Sequence, residues 1–122
     1  MTPEAAAVVL DAVRSCASAC RRCADACLGE EHVGSMVACI RTDLVCADVC
    51  ELVERTFTRR SDLAEDVATA MLNLCVLVCQ ACATECELHD HDHCRECAEA
   101  CRACEAACKQ LLRALSDLPA GD

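Results

Sequence analysis

Apolar side chains recur every three or four residues through four long stretches of the chain, and polar residues fill the positions between. Steps of three and four keep side chains on one face of a helix, so the pattern predicts four amphipathic helices and no strand. The first opens at Thr2 as N-cap with Pro3 in the first turn and runs to about Leu28, before Gly29. The second is expected from near Ser35, after Gly34, to about Thr56. The third is expected from Ser61 or Asp62, where Asp62 and Glu65 resemble a capping box, to about His89. The fourth starts after an Asp or His near 90–92 and ends before Leu118-Pro119. Short connections between long helices make neighbours antiparallel. The expected fold is therefore all-α, an up-down-up-down four-helix bundle forming a single domain over residues 1–122.

The residues that carry this period are unusual. Helix 1 holds Cys16, Cys20, Cys23 and Cys27; helix 3 holds Cys75, Cys79, Cys82 and Cys86 with the same 4-3-4 steps. Helix 4 carries Cys94, Cys97, Cys101, Cys104 and Cys108, and helix 2 carries Cys39, Cys46 and Cys50. Shifting by 59 maps the helix 1 cysteines onto helix 3, and shifting by 58 maps those of helix 2 onto Cys97, Cys104 and Cys108. The chain reads as two copies of one helical hairpin. Under the second shift Asp43 falls on Cys101 and Met36 on Cys94, so a carboxylate and a thioether each interrupt the sulfur seam once.

In an antiparallel bundle the cysteines gather at one end. The other end is expected to be an apolar plug of Val9, Val13, Leu52, Val53, Phe57, Val67, Leu72, Leu111 and Leu115. Burial of such residues, at roughly 25 cal/mol per Å², can hold the fold without metal.

Composition sharpens this picture. Sixteen cysteines in 122 residues is a density usual in secreted disulfide scaffolds, but those are loop-rich and this chain is helical. The early apolar run from Ala5 to Leu10 is too short for a secretory or membrane segment, and no other stretch reads as a span. That places the chain in the cytoplasm with reduced thiols, and no membrane partner is expected. A net charge of −10 argues against nucleic acid as a partner. No phosphate loop, di-iron Glu-x-x-His or isolated Cys/His pair suggests an enzyme.

The remaining chemistry is soft-metal ligation, and thiolate selects Cu(I), zinc or iron–sulfur clusters. Zinc prefers closed tetrahedra paired across turns, and clusters prefer a Cys-rich loop. A continuous lining on straight helices suits several Cu(I) ions, each in two- or three-coordinate sulfur. An iron–sulfur or other redox carrier, or a zinc or cadmium thiolate buffer, is the alternative.

At the mouth of the tube lie His32, His89, His91 and His93. His89 and His93 continue the helix 3 seam by three and then four residues, which makes them candidate ligands. Helix N-termini at the mouth are expected to lower thiol pKa values there. Asp43 sits on the sulfur face, to bind metal or a proton, or to face water at a boundary. Met36 and Met71 share the register, as methionines in an ordinary core also do.

These Cys-x2-Cys and Cys-x3-Cys stripes on four helices resemble the cytosolic branch of the copper storage protein (Csp) family. The resemblance implies a homotetramer of bundles, each holding many Cu(I) ions through the cysteines named above. It also implies copper passing the histidine-bearing end, with Asp43, His89 and His93 as oxygen and nitrogen ligands. A copper chaperone is the expected donor, though the residues do not identify it. The carboxylate at Asp43 departs from a seam made only of cysteine.

Overall fold

The structure, a computed structural model, describes residues 1–59 and 62–117. Four α-helices, α1 (Pro3–Leu28), α2 (Val37–Arg59), α3 (Glu65–Cys86) and α4 (Asp92–Ser116), account for nearly all of them, with a 3-10 turn over Val33–Met36 leading into α2. At 1.5 Å per residue the helices are about 33 to 39 Å long.

α1 begins as its sequence suggests: Thr2 Oγ1 accepts the Ala5 amide at 3.1 Å and Pro3 occupies the first turn. The start of α3 differs from expectation. It opens at Glu65 with Ala64 as an uncapped N-cap residue, so Asp62 precedes the helix and no capping box forms there. Ser61 lies outside the described residues. α3 also stops at Cys86 rather than His89, with the Glu87 amide donating to the Ala83 carbonyl. α2 starts at Val37 and runs on to Arg59, three residues past Thr56.

Each helix packs on two others in a ring: α1 on α2 and α4, and α3 on α2 and α4. Cross-helix sulfur pairs fix the directions. Cys16 meets Cys46 at 3.8 Å while Cys23 meets Cys39 at 4.0 Å, so α1 and α2 are antiparallel. Cys75–Cys104 and Cys82–Cys97, both 3.9 Å, do the same for α3 and α4. The architecture is the expected up-down-up-down bundle.

One seam runs the length of each helix in alternating steps of three and four: 6-9-13-16-20-23-27, 36-39-43-46-50-53-57, 68-72-75-79-82-86 and 94-97-101-104-108-111-115. All are buried. Away from the cysteines the seam is apolar, with Val9, Val13, Val53, Phe57, Leu72, Leu111 and Leu115 in one core cluster. Leu52 and Val67, expected in this plug, are each 46% exposed. Each stands one residue off the seam, and Val53 and Ala68 occupy the buried positions instead. Met71 is likewise off the seam and only partly buried, whereas Met36 is on it and buried.

The outer surface is tied by ion pairs within each hairpin: Arg14–Glu54 at 2.6 Å and Arg21–Glu51 across α1 and α2, and Arg102–Glu87 at 2.8 Å across α3 and α4. Exposed pairs of this kind add little stability. α3 is also long and apolar enough to cross a bilayer by length and composition, contrary to the reading that no stretch qualifies. The cause is that four of its residues are cysteines, which score as apolar, and these face the bundle interior.

Candidate metal centre

All sixteen cysteines are free and fully buried, at 0% exposure. Sulfurs of facing helices lie close together, because through this part of the bundle nearly every step of the seam carries a cysteine, Asp43 of α2 being the exception. Sets of four ligand atoms lie within 4.8 Å of one another in overlapping groups. From the plug toward the mouth, these include Cys16/Cys50/Cys79/Cys104, then Cys16/Cys20/Cys46/Cys101, then Cys20/Cys82/Cys97/Cys101. Nearer the mouth are Cys23/Asp43/Cys86/Cys97 and Cys23/Cys27/Cys39/Cys94. Cys16, Cys20, Cys23, Cys97 and Cys101 each belong to two of these groups. Cys75 and Cys108 lie at the plug end, Cys75 reaching Cys104 at 3.9 Å. The sulfurs thus form a connected lattice rather than separate cages.

A lattice of close thiols cannot hold all its protons alike. Where a sulfur receives S–H bonds from its neighbours, its thiolate form is favoured. Cys23 is pulled down to about 5, chiefly by hydrogen bonding with Cys39 and then Cys86. Cys97 falls to about 2 through Cys101 and Cys20, and Cys46 to about 6 through Cys101. Their partners hold the protons: Cys39 is raised first by its bond to Cys23, and Cys101 by its bond to Cys16. The expectation that helix N-termini lower the mouth thiols is therefore overturned at Cys39 and Cys94, both of which move up. Burial is the largest cause for Cys94, and the network is for Cys39.

Asp43 is the one buried charged or polar residue among those described, at 0% exposure. Its Oδ1 stands 3.1 Å from Cys82 Sγ, 3.2 Å from Cys97 Sγ and 3.6 Å from Cys86 Sγ. It does not face water. Desolvation first, and then the charge on Cys97, push its carboxyl up to about 12, so without a cation it keeps its proton at neutral pH.

The histidines divide. His93, in the first turn of α4, places Nδ1 3.5 Å from Cys23 Sγ, 3.6 Å from Cys94 Sγ and 4.0 Å from Cys27 Sγ. His89, past the end of α3, turns its Nε2 to Glu85 Oε2 at 2.8 Å and lines an outer cleft with Asp90, Arg95 and Arg102. The two were grouped by extending the helix 3 seam, but that seam ends at Cys86; His93 instead belongs to α4, four residues before Cys97. His91 stacks on His93 with ring centroids 5.3 Å apart, and His32 is exposed. Glu30, which no spacing rule singled out, lies 2.9 Å from His93 Nε2.

A bundle whose interior is a connected thiol lattice, closed by an apolar plug and opening at a histidine, defines a soft-metal-binding helical protein. The chain belongs to the copper storage protein family, which it matches over residues 2–113. It is 47% identical to a copper storage protein of Streptomyces lividans whose structure carries 10 copper equivalents. That similarity covers 90% of this chain and 85% of that one, with a TM-score of 0.87. A structure of a cytosolic copper storage protein from the same organism with five coppers gives 47% identity, 90% and 93% coverage and a TM-score of 0.88. The Cu(I)-bound copper storage protein BsCsp3 is 36% identical, over 88% of this chain and 98% of that one, at a TM-score of 0.77. A cysteine-rich protein of Bacillus subtilis, YhjQ, is 37% identical over 102 residues, 84% of this chain and 91% of its own length.

Proposed function

We propose that this chain, acting as one storage domain, sequesters many Cu(I) ions in the cytoplasm and has no catalytic role. The observation that carries this reading is the sharing of sulfurs between adjoining four-ligand groups. A bridging thiolate serves two Cu(I) ions, so a connected lattice accepts more ions than isolated tetrahedra built from the same residues. Each Cu(I) also compensates a thiolate charge that would otherwise be costly to bury. All sixteen cysteines take part, with Asp43 completing the layer of Cys23, Cys86 and Cys97. His93 serves at the mouth, through which copper must enter because the apolar plug closes the far end. His89, bonded to Glu85, meets copper at the rim only by turning away from that partner.

Delivery falls to a copper chaperone that docks at the mouth, the one route among the described residues, whose rim carries Glu30, Glu31, Asp90 and Asp92. The homotetramer is supported by an apolar surface on α2 and α3, where Leu44, Val45, Leu74 and Leu77 are 42–62% exposed.

Anaerobic Cu(I) titration of the reduced protein against a Cu(I) chelator tests the central reading. The connected lattice should bind more than about eight Cu(I) per chain. Saturation near four, the limit for separate four-thiolate sites, would refute storage in a shared lattice.

A further inference from the structure

A histidine at the mouth can take a metal ion only through a nitrogen lone pair, and which nitrogen carries the proton is set by what the other one meets. Both nitrogens of His93 are engaged. Nδ1 faces Cys23, Cys94 and Cys27 at 3.5, 3.6 and 4.0 Å, while Nε2 lies 2.9 Å from Glu30 Oε1. A carboxylate only accepts, so Nε2 must carry the proton and donate it to Glu30. In the neutral ring, the form that can bind a metal, the Nδ1 lone pair is then left facing three sulfurs. Flipping the ring about Cβ–Cγ would put Cδ2–H where Nδ1 stands, remove the ligand and break the bond to Glu30.

Glu30 is itself held in place from two sides. Its amide donates to the Cys27 carbonyl at 3.2 Å, which fixes it on the closing turn of the helix that bears Cys27. His91 Nδ1 stands 3.7 Å from the same Oε1, and the His91 ring lies parallel to His93, within 4°. The carboxylate therefore joins the end of α1 to the start of α4 across the mouth, with a stacked ring limiting how far His93 can swing.

We infer that Glu30 is a positioning residue for copper uptake, holding His93 so that Nδ1, with Cys23, Cys27 and Cys94, forms the ligand set that copper meets first. The inference rests on the reading that copper passes His93. A carboxylate behind a ligating histidine fixes its tautomer and raises its basicity, and losing such a partner commonly costs 10–100-fold in metal affinity or activity.

The test uses the reduced full chain with Glu30→Ala, Glu30→Gln, His93→Phe and the double variant Glu30→Ala/His93→Phe. Long-range 15N–1H correlation reads the His93 tautomer in metal-free protein, and stopped flow reads uptake from a Cu(I)–chelator donor. At a pH high enough for the ring to be neutral, wild type should show His93 protonated at Nε2 alone. Glu30→Ala should give averaged nitrogen signals and uptake slowed roughly tenfold, with total Cu(I) capacity unchanged. Glu30→Gln, which keeps an acceptor oxygen, should fall between the two. In the His93→Phe background, Glu30→Ala should slow uptake no further.

Wild-type tautomer and rate in Glu30→Ala, with slow uptake in His93→Phe, would overturn the role of Glu30 and leave the His93 passage standing. Equal slowing by Glu30→Ala with and without His93 would also overturn it, because the carboxylate would then act by charge alone. Wild-type uptake in His93→Phe would instead sink the passage reading, and this inference with it.

Discussion

Replacing Asp43 by asparagine should stabilise the metal-free protein, and by an amount that grows with pH. The side chain keeps its size and can still hydrogen-bond the sulfurs of Cys82 and Cys97, but it no longer titrates. In the folded chain the carboxyl is held up to about 12 against an ordinary value of 3.8, first by desolvation and then by the neighbouring Cys97 charge. Between those limits the folded state binds one proton more than the unfolded state, so wild-type stability falls as pH rises. The slope for one proton is about 1.4 kcal/mol per pH unit, or about 2.7 kcal/mol between pH 6 and 8. Cys23, lowered to about 5, titrates in the opposite sense and adds stability as pH rises from that value toward 9. It does so in both proteins, so the difference between them isolates Asp43. Urea unfolding of reduced apo-protein at pH 6, 7 and 8, followed by circular dichroism, measures it. The gap between variant and wild type should widen by about 1 kcal/mol or more per pH unit. A constant gap would mean that Asp43 is already ionised inside the metal-free tube, and the account of its environment would be wrong.

Leu72, fully buried in the plug, should cost about 2–5 kcal/mol of apo stability when cut to alanine, read by the same denaturation, while Cu(I) capacity stays unchanged. Helical circular dichroism of wild type should change little on copper addition, because the plug and the helix seams form without metal; a large gain in helicity would identify a metal-folded chain. Leu77→Glu, on the 62%-exposed position of α3, should shift the protein to smaller species in light scattering without lowering helicity, if this face joins the bundles. His93→Phe should slow Cu(I) uptake more than His89→Phe, since only His93 sets a nitrogen against the thiols; equal effects would place both rings on the path.

The four helices and their inward faces were legible because a seven-residue repeat of buried positions leaves a direct mark on the chain, and cysteine makes that mark unmistakable. Had the same 3-4 steps been carried past the last cysteine, they would have pointed to Val53 and Ala68 in place of Leu52 and Val67. The misplaced start of α3 had a different cause: Asp62 and Glu65 have capping-box chemistry, but capping is a local preference that the path of the chain into the bundle overrides.

The sequence alone therefore determined the element count, the buried stripe of each helix and the softness of the metal, all of which depend on residue type and spacing within one segment. Only the tertiary structure decided which sulfurs share a layer, how the protons divide among them, and that Asp43 is sealed among four sulfurs, those of Cys39, Cys82, Cys86 and Cys97. It also separated His93 from His89 and set Glu30 behind His93. Those outcomes depend on distances between helices that are far apart in the chain. In hydrogen bonding and desolvation, an ångström across the bundle outweighs any regularity along it.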